Sequence, residues 1–436
     1  MLIKCRFFIL FSVIILKIHA QPLYFPPLTG STWTTISPQS LNWCQNRIDS
    51  LNKFLGDNNT KAFILLKDGK IVLEQYFGTH TATSAWQWAS AGKTITAFMI
   101  GIAQQENKLS INDKSSKYLG QGWTSCTPEQ EDKITIRNQL TMTSGLDDGV
   151  PDHYCTLKSC LLYKADAGTR WAYHNGPYTL LDSVMEVATG TTLNSYTTQK
   201  LKTPTGMTGN FFKVGYNNVY FSTARSMARF GLLMLNKGNW NGTPVMTDAT
   251  YFNQMINTSQ TINQSYGYLW WLNGKSSYML PGSQFVFNGF MTPNAPADTY
   301  SAMGRDGQFL NVVPSQNLVW VRMGEAPDGS LVPYQLNDAI WRYVNELGCT
   351  STNISNINAS NTFVNIFPNP ASDYLQIQSE KTISKLEIYT MHGHLLRSFE
   401  MRSKIGKLSL TDLPSGQYLL KVQDAPGYRM VRFTKR

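Results

Sequence analysis

The chain has 436 residues, 42% apolar and 15% charged, enough for a large buried core and more than one domain. Its formal charge of +10 gathers at the ends: Lys4, Arg6 and Lys17 stand without an acid in the first 20 residues, and eleven Lys and Arg face six Asp and Glu from Phe363 onward. The long stretch between is nearly neutral, which argues against nucleic acid as a partner.

Residues 1–20 read as a secretory signal: Lys4 and Arg6, an apolar run over 7–16, and a cleavage position after Ala20. That run is too short to span a bilayer comfortably and no other segment is longer, so no stable membrane span is expected after cleavage. An exported chain meets oxidising conditions, where disulfides are the default reading of its cysteines. Cys155 and Cys160 close a small loop, while Cys44 and Cys349 lie in the first and last predicted helices of the central region and could join its ends. Cys126 is left over and reads as an inert thiol. No C-x-x-C or H-E-x-x-H occurs, so neither a metal nor a cofactor is expected.

The first helical pattern covers 38–55. It contains Ser50-Leu-Asn-Lys53, which falls on a solvated face. Residues 62–76 form two strands around an Asp68-Gly69 turn. Trp86-Gln-Trp-Ala then leads to Ser90, and an apolar helical run begins at Thr94. Such a helix is buried, and its N-terminus presents Ser90 and free backbone N–H groups to a cleft. Lys93 lies one turn beyond Ser90 on the same face, where a partly desolvated amine can take the serine proton.

Tyr173-His-Asn175 follows Gly168-Thr-Arg-Trp-Ala in a short extended piece that a Gly176-Pro177 turn ends. Tyr-x-Asn also occurs at Tyr216, Tyr251 and Tyr343, but without such a setting. His174 lacks a G-x-S-x-G partner and a paired acid, so a Ser-His-Asp enzyme fits poorly. Asp147, Asp148, Asp152 and His153 read as a polar loop, and Trp86, Trp88, Tyr266, Tyr268, Trp270 and Trp271 mostly as core packing. Further helices are predicted over 180–188 and 224–235. A late hairpin runs over 301–313 and 318–323 around Pro314-Ser-Gln-Asn, with a last helix over 332–347. The fold class is therefore mixed α/β (α+β): an antiparallel sheet built from both ends of the region, terminal helices on one face, and a helical domain inserted between. Polar residues 350–362 make a linker, and short alternating strands after it make a small all-β sandwich.

Three segments in order give the central region a resemblance: Trp88-Ala-Ser90-Ala-Gly-Lys93-Thr, Ile134-Thr-Ile-Arg-Asn-Gln-Leu-Thr-Met-Thr-Ser-Gly-Leu, and Gly168-Thr-Arg-Trp-Ala-Tyr173-His-Asn175. It resembles the β-lactamase-related serine hydrolases, which include class C β-lactamases, D-stereospecific peptidases and amidases, and family VIII esterases. The resemblance implies Ser90 as acyl-enzyme nucleophile, Lys93 as its base and Tyr173 as proton relay, with Asn175 in support. The family's Lys- or His-x-Gly strand aligns with Arg305-Asp306-Gly307, and the implied oxyanion hole uses the N–H groups of Ser90 and Gln308. The tail, with Phe367-Pro-Asn-Pro-Ala-Ser-Asp373, Leu413-Pro-Ser-Gly-Gln-Tyr-Leu419 and Lys435-Arg436, resembles the type IX secretion sorting domain of the Bacteroidetes. This divides the chain into a signal over 1–20, a hydrolase domain over 21–349, a linker over 350–362 and a sorting domain over 363–436. The expectation is an acyl hydrolase of an ester or amide substrate, passed through the periplasm to the type IX machinery and so to the surface or medium. The alternative is a secreted binding or adhesion protein that keeps the fold without turnover.

Overall fold

The computed structural model describes residues 23–326, 330, 332–349, 364–391, 394–424 and 427–436, so the expected signal and linker lie outside the described residues. Two compact units divide the chain, one ending at Cys349 and the other beginning at Thr350.

In the first unit, strands β1 (Thr60–Lys67) and β2 (Lys70–Tyr76) form the expected hairpin. Its turn needs left-handed backbone at both central residues, which Asp68 (φ 51°) and Gly69 (φ 80°) supply. Downstream come β3 (Trp86–Gln87), β4 (Asn210–Val214), β5 (Asn217–Ser222), β6 (Trp271–Leu272), β7 (Tyr300–Gly304), β8 (Gln308–Val313) and β9 (Leu318–Gly324). The main sheet is antiparallel in the order β2-β1-β9-β8-β7-β6, so both ends of the region do build it. A smaller sheet runs β3-β5-β4.

The main helices are α1 (Gln45–Asp57), α2 (Lys93–Gln105), α3 (Asn175–Thr189), α4 (Ala224–Leu235) and α5 (Tyr334–Asn345). α1 and α5 share one face of the main sheet: Phe54 stacks on Tyr343 at 4.5 Å, and Trp341 of α5 meets Trp320 of β9 at 5.5 Å. The other face takes α4, where Gly231 lets Leu310 and Val319 approach so closely that a Cβ there would sit 2.5 Å from each. With both faces covered, β8 and β9 are buried along their whole length, the polar side chains of Gln308, Asn311 and Arg322 included, and each of these is hydrogen-bonded inside the protein.

Four local expectations are corrected. The helix predicted over 38–55 is broken: a short Pro38–Leu41 turn stops at Asn42 (φ 57°), and α1 starts afresh at Gln45. Cys44 and Cys349 consequently flank α1 and α5 rather than lie in them; they are bonded, as are Cys155 and Cys160. The 301–313 strand is two strands, β7 and β8, joined by a tight turn at Arg305–Gly307 in which Asp306 (φ 63°) and Gly307 (φ 76°) are left-handed. Gly176 and Pro177 do not end the Tyr173 segment in a turn. They lie in the first turn of α3, where proline's missing N–H has no helical partner to lose.

The tail is all β: β10 (Val364–Phe367), β11 (Tyr374–Thr390), β12 (Leu395–Ser409), β13 (Gly416–Asp424) and β14 (Gly427–Lys435). Its pairs are antiparallel, β10-β11-β13-β14 with β12 on β11. Not all of the tail's strands are short, as expected of them: β11 is one long strand with a register shift between Gln378 and Ile383. Its first half pairs with β10 and its second with β13, and Leu375, Ile377, Leu386, Ile388, Leu420 and Phe433 share one core.

Candidate active site

Ser90 sits in a single 3-10 turn, Ala89–Gly92, that runs directly into α2. The turn is pinned from β5: the Trp88 N–H donates to Tyr220 O at 2.8 Å and the Trp88 indole N–H to Ser222 Oγ at 2.8 Å. Ala89 is held left-handed (φ 44°), a conformation that costs a non-glycine residue about 1–2 kcal/mol and that the buried Trp88 anchor maintains. α2 is buried from Lys93 to Ala103, as its apolar pattern requires.

Lys93, the first residue of α2, is only 5% exposed, and its Nζ donates to Ser90 Oγ at 3.0 Å. The amine lies 4.3 Å from the Tyr178 ring centre and 5.3 Å from that of Tyr173. Burial drives its pKa down to about 7, against the pull of Asp182, whose own carboxyl burial pushes up to about 7. Ser50, by contrast, bonds back to Asn46 O on the surface of α1, and Lys53 is ion-paired with Asp57.

Tyr173 lies in the extended piece before α3. The second resemblance segment runs beside it, with Ala172 N–H donating to Met142 O at 2.9 Å and Gly168 N–H to Thr143 O at 2.8 Å. Its ring stacks on Trp271 at 5.8 Å, and burial raises the phenol pKa well above its ordinary value while the Ser90 hydroxyl acts the other way. Asn175 opens α3 with its Oδ1 buried and unpartnered among the described residues. His174 is buried with neither ring nitrogen bonded there, and burial lowers it to about 4; it remains neutral and is no base for Ser90. Trp88, Tyr266, Tyr268, Trp270 and Trp271 are core residues. Asp148 pairs with Arg170 at 2.6 Å, and among the described residues no acid, His and Cys cluster could hold a metal.

The third expected element is displaced in register. Gly307 packs against Arg322 and Leu336 rather than the Ser90 turn, its carbonyl accepting from Arg322 at 2.7 Å, and Gln308 pairs with Gly304 across β7 and β8 while its side-chain amide bonds the Gly324 backbone. The glycine that meets the serine turn is Gly304, at the end of β7. A Cβ there would lie 2.5 Å from Trp88 O, 2.8 Å from Ala91 N and 3.1 Å from Ser90 N. Arg305 follows it, 59% exposed, with a 3.7 Å pairing to Asp306, and lines the cavity at Ser90. The sequence reading missed Gly304 because two glycines three residues apart both fit an x-Gly pattern. They are needed for different reasons, Gly307 for its positive φ and Gly304 for close approach. We therefore expect Gly304→Ala to lose at least a hundredfold in turnover, since its new methyl meets backbone that cannot yield. A Gly304→Ala protein with unchanged kcat/KM would contradict this placement.

Ser90, Lys93, Tyr154, Tyr178, Val214 and Arg305 help to line a cavity of about 250 Å³. It opens at the N-terminus of a buried helix and holds a hydroxyl bonded to an amine whose pKa burial lowers to about 7. Over residues 57–333 the sequence matches the family Beta-lactamase. The chain belongs to the beta-lactamase family. Residues 365–433 match the secretion system C-terminal sorting domain, a type IX signal that directs the protein to the cell surface or medium. No curated protein matches the chain. Among solved structures, the beta-lactamase fold is shared with a protein of Bacteroides dorei DSM 17855 described as a beta-lactamase, at 17% identity and a TM-score of 0.56, covering 70% of this chain and 99% of that one. A protein of Bacillus anthracis described as a 6-aminohexanoate-dimer hydrolase matches at 18% identity and 0.53, covering 73% and 89%. A penicillin binding protein of Bacillus halodurans matches at 16% and 0.51, covering 68% and 99%. At these identities the likeness concerns the fold. Among the described residues no helix is long and apolar enough to cross a membrane.

Proposed function

We propose that this chain is a serine acyl hydrolase that cleaves an ester or amide through an acyl-enzyme on Ser90. The observation that carries the reading is the 3.0 Å bond between Ser90 Oγ and a Lys93 amine whose pKa is pushed down to about 7. At neutral pH a large fraction of Lys93 is the free amine, able to accept a proton, whereas the Tyr173 phenol stays protonated. Lys93 is therefore the base and Tyr173 the relay. Ser90 Oγ attacks the substrate carbonyl carbon while its proton passes to Lys93. The carbonyl oxygen takes the negative charge, facing the N–H groups of Ser90 and Arg305, the residue after the close-approach Gly304. As the tetrahedral intermediate collapses, the proton moves from Lys93 through the Tyr173 hydroxyl to the departing oxygen or nitrogen. A water molecule then attacks the acyl carbon, gives its proton to the same pair, and Ser90 regains its hydrogen as the acid leaves.

The test is the pH dependence of kcat/KM on a small 4-nitrophenyl ester. The free amine is the active form, so the rate should rise with pH and level off above about pH 7, falling tenfold per unit below it. Asp182 favours the charged form of Lys93, so Asp182→Asn should move this limb to lower pH. A profile flat from pH 5 to 9 would remove Lys93 as the base.

A further inference from the structure

Tyr178 stands one turn beyond Asn175 on α3 and one turn before Asp182, so its ring and that carboxyl share the face turned to α2. Lys93 and Thr96, three residues apart on α2, meet this face. The Tyr178 hydroxyl lies 3.3 Å from Thr96 Oγ1, which holds one end of the ring, and the Lys93 amine sits 4.3 Å from the ring centre. The Tyr173 ring is farther from the amine, at 5.3 Å, and is stacked on Trp271. Tyr178 is buried and borders the Ser90 cavity. Burial raises its phenol pKa well above the ordinary value, so it meets Lys93 as a neutral ring.

While Lys93 is a free amine, such a ring is one more apolar neighbour. The difference comes when the amine takes the serine proton. The new ammonium then lies within range of a negative π face in a desolvated site, and the attraction favours the charged form. We propose that Tyr178 is a positioning residue that sets the basicity of Lys93 through the face of its ring. The inference rests on the acyl-transfer reading above, in which Lys93 is the base. Desolvation alone would leave so deeply buried an amine a poor base. Two groups oppose it, the Asp182 carboxyl and the Tyr178 ring, both presented by one face of α3. The other titratable or charged groups around the amine are Tyr173, before α3, and Tyr154 and Arg305 on further walls of the cavity. A change confined to the ring at position 178 leaves all of them in place.

The test varies the charge distribution of the ring at nearly constant size. Phenylalanine and its mono-, di-, tri- and pentafluorinated forms are placed at position 178, and the pH profile of kcat/KM on a 4-nitrophenyl ester is recorded for each. Fluorine draws electron density from the π face, so each step weakens the attraction for the ammonium. A weaker attraction lowers the Lys93 pKa. The rising limb should therefore move to lower pH step by step, by about one unit over the series. The level part should fall with it, because a weaker base takes the serine proton less readily. A side chain that only fills space would leave the limb where it is. Fluorotyrosine at position 178 keeps the Thr96 bond and should shift the limb in the same direction even if the phenylalanine protein folds poorly. A limb that does not move in either set, while the wild-type profile rises to its plateau, would overturn the role of the ring and leave Lys93 as the base. A wild-type profile without that limb would remove Lys93 as the base, and this inference with it.

Discussion

Ser90→Ala should abolish ester hydrolysis, by about 10⁴-fold or more, while leaving the thermal unfolding of the protein close to wild type. The hydroxyl is the only atom removed. It is not a helix cap: the turn is pinned by the Trp88 bonds to Tyr220 and Ser222, which alanine leaves in place. The residual rate should be what substrate binding and the backbone N–H groups alone provide. Ser50→Ala serves as the control, because its hydroxyl is committed to Asn46 O on an exposed helix face. A protein that stays active as Ser90→Ala but is silenced as Ser50→Ala would reverse the assignment.

Lys93→Arg should be nearly as damaging as Lys93→Met. A guanidinium cannot release its proton at working pH, so a cation of similar reach cannot act as base. The two variants should separate in stability. The folded pKa of Lys93, about 7, lies below its ordinary 10.5, so between these values the unfolded chain binds more protons here than the folded one. Stability contributed at this site therefore rises with pH across that window, and at pH 7 and below the buried amine opposes folding. Lys93→Met removes that opposition and should melt above wild type at pH 7, whereas Lys93→Arg keeps a buried cation and should melt below the methionine variant. Calorimetry at pH 7 reads both. An active Lys93→Arg enzyme would mean that the lysine serves as a fixed charge.

Much of this arrangement is local and so was readable in the chain. The Ser90 and Lys93 spacing, the Asp68-Gly69 hairpin and the helix over 224–235 each depend on neighbours within a few residues. The register at Gly304 depends instead on the approach of a strand end to a turn over two hundred residues earlier, and nothing near Gly304 in sequence reports it. Asp182 was hidden for the same reason, although it left a trace as an acid between the buried Leu181 and Val184. Its partners, Asn218 on β5 and Lys93 on α2, meet it only in the folded chain. In the tail, Ser379-Glu-Lys-Thr looks like a turn because it is polar, but the strand runs on through it with a bulge.

The nucleophile can be read directly by reacting the purified protein with a fluorophosphonate and locating the adduct by peptide mass spectrometry. A single adduct on Ser90 is expected, formed faster as pH rises through 7 and lost in Ser90→Ala. No adduct, or one on another serine that persists in Ser90→Ala, would contradict Ser90 as the acyl-forming residue and favour a binding protein that has kept the fold without the chemistry.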